Sequence, residues 1–271
     1  MRDIAAQTHP GKTRGHNEDA IVVVPEHGIC VVADGVGGHQ RGEVASRMVC
    51  DSVRDGLLQG QPLIEVIQQA HQQVLHCIEE TAQGQPTQNG MGSTVVAIKL
   101  TDDHTFELAW VGDSRAYLWD GALTQLSRDH SVVEELLASQ VITPEQAHDH
   151  PDRNVITQSL GVSAQMQLDI GHVSGQLEPE SELLLCSDGL TNELSDAEIS
   201  QLLQSAVDPQ DQLDALMARV LETAARDNVS VVVVGRSQAT VEADASLGRW
   251  LNGLTFVLAI AAFAYVVSRF L

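Results

Sequence analysis

At 271 residues, 43% of them apolar, the chain is long enough for one large domain or two small ones with a sizeable core. Its 37 Asp and Glu against 15 Lys and Arg leave a formal charge of −22, which repels phosphate backbones and excludes nucleic acid as an expected partner. Cys30, Cys50, Cys77 and Cys186 show no CxxC spacing and mostly sit in apolar runs, as buried free thiols of a reducing compartment do.

Met1–Ala20 is polar and has no apolar run, so no cleaved secretory signal is expected, and the body reads as cytoplasmic. Ala20–Val24 and Ile29–Ala33 are short β-branched runs separated by Pro25 and Gly28, a hairpin signature. Glu43–Leu58 and Leu63–Thr81 carry apolar residues at three-four spacing and read as helices, with His71 and His76 expected to face water. Gly92–Leu100, Thr105–Val111 and Ala116–Trp119 read as strands. Their turns are too short for parallel crossovers, so antiparallel pairing is expected and a doubly wound parallel sheet is disfavoured. Ser131–Gln140 and Pro144–His148 read as short surface helices before a polar loop, His150–Gly161. Strands follow at Met166–Val173 and Glu182–Cys186, helices at Ser195–Ala206 and Gln210–Ala225, and a last strand at Val229–Val234.

After a short acidic linker the chain changes character. Trp250–Ser268, the 19 residues between Arg249 and Arg269, is uncharged. A helix of that length rises about 28 Å, close to the hydrocarbon thickness of a bilayer. The expected organisation is a catalytic domain over 1–236, a linker over 237–249 and a transmembrane helix over 250–268. The two arginines leave the positive-inside comparison tied, so orientation rests on the signal-free acidic body: a single-pass C-terminal anchor in the inner membrane, catalytic domain in the cytoplasm.

The chemistry-bearing pattern is four acids beside apolar runs: Asp34 after Val31–Ala33, Asp113 after Ala109–Gly112, Asp188 after Leu184–Ser187, and Asp227 before Val229–Val231. Taken singly, Asp-Gly after a strand reads as a turn. Four strand ends on one sheet edge, however, would crowd carboxylates that repel one another unless a cation joins them. All-oxygen ligands select hard ions such as Mg²⁺ or Mn²⁺ over zinc. Upstream, Arg14-Gly15-His16-Asn17-Glu18-Asp19 combines two carboxylates with a guanidinium suited to bidentate phosphate contact, or to a plain surface ion pair.

These residues resemble the metal-dependent protein Ser/Thr phosphatases of type 2C, in their bacterial form. The resemblance runs from about Thr8 to Gly235. It is carried by Arg14–Asp19, Ala33-Asp34-Gly35-Val36-Gly37-Gly38-His39, Gly90-Met91-Gly92-Ser93-Thr94, Val111-Gly112-Asp113-Ser114-Arg115, His150–Thr157, Ser187-Asp188-Gly189-Leu190 and Arg226-Asp227-Asn228, in that order. It implies an α+β fold, a four-layer α/β/β/α sandwich of two antiparallel sheets flanked by helices, with metals at one end. It also implies that Asp34 bridges two Mn²⁺ or Mg²⁺ ions and that the Gly35 carbonyl binds one of them. Asp188 and Asp227 would complete the other, and Glu18 would support the first through water. Asp113 with Asp188 would hold a weaker third ion, and Arg14 would bind the phosphate.

The sequence departs from eukaryotic members at Val36, where they carry a histidine proposed to protonate the leaving group, so that role is unassigned. A water activated between two metals replaces a covalent nucleophile, in keeping with the absence of a CxxxxxR loop. The first function expected is hydrolysis of phosphoserine and phosphothreonine in proteins, opposing a cognate Ser/Thr kinase. A two-metal hydrolase of small phosphate esters and a membrane-tethered phosphoprotein adaptor are the other readings weighed. The intact Asp34, Asp188 and Asp227 argue against the adaptor.

Overall fold

The computed structural model describes residues 2–37, 41–82, 90–102, 104–163 and 167–237. The expected linker beyond Ser237 and the apolar run 250–268 lie outside them. Among the described residues no helix is long and apolar enough to cross a membrane.

Among the described residues, eleven strands make two antiparallel sheets. One has the order β1 (Arg2–His9), β11 (Val229–Ser237), β10 (Glu182–Cys186), β7 (Arg115–Trp119), β8 (Leu123–Gln125). The other runs β2 (Asp19–Val24), β3 (Ile29–Val36), β5 (Val95–Leu100), β6 (Thr105–Val111), β9 (Gly171–Gln176), with the two-residue β4 (Gly92–Ser93) beside β3. Helices α1 (Arg41–Leu58) and α2 (Leu63–Ala82) cover the second sheet. The first is covered by α6 (Asp196–Gln204) and α7 (Pro209–Glu222), with the single turn α5 (Asp188–Thr191) at its end. Between β8 and β9 the chain makes an excursion through α3 (Val132–Ala138) and α4 (Pro144–His148).

The period-two alternation of strand side chains creates the layers. On β3, Val31 and Ala33 pack toward α1 and α2, while Cys30 and Val32 face the other sheet. On β11, Val231 and Val233 meet α6 and α7, while Val232 and Val234 fill the space between the sheets. Strands buried on both faces read as continuous apolar runs, which is why they were legible. Each fully buried Val contributes about 1.5–3 kcal/mol. Caps fix the helix starts: Ser195 and Glu198 form a capping box on α6, and Asp208 accepts from Gln210 N ahead of Pro209 in α7.

The structure corrects several expectations. The polar N-terminus is a strand: β1 pairs with β11 from Ile4↔Val234 to His9↔Val229, and an edge strand can be polar. Its Arg2 is 3% exposed and donates to the carbonyls of Ser181, Gly235, Leu177 and Glu178. The strand expected at Met166–Val173 begins only at Gly171, because pairing with β6 starts at Trp110↔Gly171. His71 is buried at 4% exposure, not solvated: its Nδ1 accepts from Gly161 N at 3.1 Å, and burial lowers its pKa. Among the thiols, Cys30, Cys50 and Cys186 are buried and Cys77 is partly so, and no disulfide joins them.

Candidate metal centre

Antiparallel pairing puts one set of strand ends at a single pole of the sandwich. Val95 opens β5 opposite Val111, which ends β6; Cys186 ends β10 opposite Arg115 of β7 and Val231 of β11. Asp113 follows β6, Asp188 opens α5 directly after β10, and Asp227 precedes β11. Asp34 lies inside β3 rather than beyond it, and pairs across the ladder with Asp19 at the start of β2. Asp34, Asp113, Asp188, Asp227 and Glu18 are half-buried around this pole, Arg14 is exposed at its rim, and Asp19 is buried beneath.

The electrostatics of the acids are those of like charges crowded out of water. Loss of hydration, then the neighbouring carboxylates of Asp19, Asp188, Asp113 and Asp227, push Asp34 well above the usual carboxylate range. Burial and Asp188 raise Asp113 to about 8, and burial and Asp227 raise Asp188. Asp19 rises to about 7 because burial outweighs two donated hydroxyls. Asp34 and Asp188 are close enough that each alters the other's proton affinity. Two ionised carboxylates hold that spacing only with a proton or a cation between them.

Two features test whether a cation fits. Asp188 Oδ1 is buried with no hydrogen-bond partner, although its Oδ2 accepts from Asn192 Nδ2 at 2.9 Å. The donor set is all oxygen, which suits a hard ion, although among the described residues no three His, Cys, Asp or Glu stand close enough together to hold a metal ion as they are placed. The residues therefore fit Mg²⁺ or Mn²⁺. Asp227 is turned outward, its Oδ2 taking Arg14 Nη2 at 2.8 Å, and Glu18 has its carboxylate against Gly42 at the start of α1. Gly35 donates its N–H to the Glu18 carbonyl at 3.1 Å.

The groups that hold this arrangement escaped the sequence reading. Asn228 accepts from Glu18 N at 2.8 Å and donates to the carbonyls of Pro10 and His16, so one side chain ties the loop bearing Arg14 and Glu18 to the start of β11. Asp19 Oδ2 accepts from Ser187 Oγ at 2.8 Å and Ser230 Oγ at 2.7 Å, joining β2 of one sheet to β10 and β11 of the other beside Asp188. Thr94 Oγ1 accepts from Asp34 N at 2.9 Å and bonds Ser114 Oγ at 2.7 Å, linking the strands that lead to Asp34 and Asp113. The signal was present in short polar residues within the motifs, but spacing names no partner. Gly189 has no room for a side chain: a Cβ would lie 1.9 Å from Asn228 O, so α5 packs directly on β11.

The comparison with known proteins decides the family. The model described as Protein phosphatase 2C matches residues 11–252. The chain belongs to that family. Serine/threonine phosphatase stp of Listeria innocua is 35% identical over 250 residues, covering 89% of this chain and 98% of that protein. Protein phosphatase PhpP of Streptococcus pneumoniae is 33% identical, covering 89% and 100%. Among solved structures, the Mycobacterium tuberculosis phosphatase PstP/Ppp superposes with a TM-score of 0.77 at 30% identity, over 88% of this chain and 99% of that one. A second structure of the PstP catalytic domain, with a TM-score of 0.74, holds two manganese ions. This protein phosphatase 2C thus has the α+β architecture of its bacterial relatives, two antiparallel sheets flanked by helices.

Proposed function

We propose that the chain is a metal-dependent protein phosphatase that hydrolyses phosphoserine and phosphothreonine in proteins, and the crowding of unneutralised acids around Asp188 Oδ1 is the observation that carries this reading. Asp34, the Gly35 carbonyl, Asp188 and Asp227 would hold two Mn²⁺ or Mg²⁺ ions, Glu18 supporting one of them, and Asp113 with Asp188 a weaker third. When bound, such ions supply an acidified water for in-line attack and neutralise phosphoryl charge. The chain's own part is positioning. Arg14, oriented by Asp227, is exposed enough to exchange that partner for phosphoryl oxygens in a charge-assisted contact. Buried Cys30 and Cys186, both pushed up to about 12 by burial, stay protonated and shielded and so supply no thiolate nucleophile, in keeping with direct attack by water.

The substrates are phosphorylated proteins, the antagonist a cognate Ser/Thr kinase, and the location the inner membrane, through the span 250–268 joined by a linker over 237–249 to a catalytic domain over 1–236. The test is turnover of a phosphothreonine peptide and of a small aryl phosphate with Mn²⁺, Mg²⁺ or excess chelator. Turnover of both that chelation abolishes is expected. Full activity in chelator overturns the metal reading, and activity on the aryl phosphate alone favours the small-ester hydrolase.

A further inference from the structure

Asp113 follows a residue with no side chain to steer it. Gly112 sits at φ +102°, where a Cβ would meet Thr94 Cγ2 at 2.6 Å, so the position needs glycine and inherits its conformational freedom. That freedom is removed by one residue 18 positions later. His130 Nδ1 accepts from Gly112 N at 3.1 Å, and His130 N donates to Gly112 O at 2.9 Å, so both backbone groups of Gly112 end on His130. His130 and the two residues before it are each held in turn. Trp110 Nε1 donates to the carbonyl of Arg128 at 2.7 Å, Arg115 forks onto the Asp129 carboxylate at 2.8 to 3.0 Å, and the His130 carbonyl accepts from Thr157 N at 2.8 Å. Beyond it, Val132 N reaches Val155 O at 3.0 Å, so the two legs of the excursion close immediately above the histidine.

We infer that His130 is a positioning residue for the phosphatase reaction: by holding the two peptide groups that flank the Gly112 Cα it sets the direction of Asp113. The inference rests on the proposed role of Asp113 as ligand to a weakly held cation. Because Nδ1 accepts, the ring carries its proton on Nε2, and burial keeps the ring neutral by lowering its pKa. Deleting the imidazole leaves the buried Gly112 N–H without its acceptor and loosens that side of Gly112, while the backbone bond from His130 N to Gly112 O remains.

The test uses the full chain and four variants. His130→Ala removes the acceptor, His130→Asn replaces it with Oδ1 close to the position of Nδ1, and His130→Gln moves it one bond outward and stands in should Ala not fold. Asp113→Ala is the comparator. In the metal-free protein, amide exchange at Gly112 and Asp113 should be about tenfold faster in the Ala variant, the effect of one lost buried hydrogen bond. With a phosphothreonine peptide, kcat at fixed Mn²⁺ should fall about tenfold with KM little changed, and the Mn²⁺ concentration for half-maximal rate should rise as it does in Asp113→Ala. Asn should restore both readouts, and Gln should not. Wild-type exchange in His130→Ala, or an Asn variant no better than Gln, overturns the inference. Asp113→Ala separates the two failures. An unchanged Mn²⁺ dependence there overturns the reading of Asp113, while a shift there with none in the His130 variants overturns the role of His130 alone.

Discussion

Stripping the cations should make the fold's stability fall steeply with rising pH, the reverse of what ion-paired carboxylates produce. Asp19 at about 7 and Asp113 at about 8 hold protons in the native state that an unfolded carboxyl, near 3.9, has already lost. The native protein therefore binds more protons than the unfolded chain, and each unit of rising pH favours unfolding. Between pH 6.5 and 8.5 these two groups release most of their protons, and linkage converts that into about 3 kcal/mol of lost stability. Asp34 and Asp188, also raised, act in the same direction. His71 and His130, both lowered by burial, oppose it mainly below about 6.5 and fade by about 7.5, as the unfolded imidazoles lose their protons, so they only trim the fall at the start of the window. At about 2–4 °C per kcal/mol for a domain of this size, Tm should drop by roughly 6–12 °C. The assay is thermal unfolding, followed by circular dichroism, of protein in excess chelator at pH 6.5, 7.5 and 8.5, then with Mn²⁺ added. Added Mn²⁺ at about 100 times its Kd returns about 2.7 kcal/mol, and most at pH 8.5, where its ligands are deprotonated. A metal-free Tm that is flat or rising across the window, or an Mn²⁺ shift independent of pH, refutes the crowding argument.

Other expectations follow from single contacts. Arg14→Ala should raise KM for a phosphopeptide about tenfold or more while calorimetric Mn²⁺ binding persists, because a charge-assisted contact is lost and no ligand is; lost metal binding would make Arg14 structural. Asp34→Asn should abolish Mn²⁺-dependent turnover and still give a folded protein by circular dichroism, since it removes a charge from a crowded pole; a wild-type rate would exclude Asp34 from the site. Gly189→Ala, with its Cβ 1.9 Å from Asn228 O, should cost about 3 kcal/mol or more in chemical denaturation, and a change below about 0.5 kcal/mol contradicts the packing described. Removing residues 238–271 should move the protein from membrane to soluble fractions with kcat/KM unchanged, and full-length protein found in the soluble fraction refutes the anchor.

What the sequence disclosed follows the physics of each signal. Strands such as β10 and β11 are buried on both faces, so their apolar runs announce them. β1 was missed because an edge strand owes its place to pairing with β11, and Arg2-Asp3-Ile4-Ala5-Ala6-Gln7 carries no such run. The acids were legible as residue types beside strands, yet only the fold sets Asp34 against Asp188 and buries Asp19 under both. His130 and Asn228 act through backbone groups 18 and 210 positions away, and no local pattern encodes a partner at that separation.

The last strand has a directional consequence. β11 starts beside Asp227 at the carboxylate pole and, at the end of its nine residues, delivers the chain at Ser237, where it pairs with Arg2 at the far end of the sandwich. At about 3.3 Å per residue the exit stands some 25–30 Å from the acids. The proposed anchor at 250–268 would suspend the phosphatase from the end of the sandwich opposite the acids, with the acids facing the cell interior. The twelve residues 238–249 extend to at most about 40 Å. Such a tether would define a hemisphere of reach, within which a membrane-bound phosphoprotein would meet the site at high effective concentration and a freely diffusing one would not.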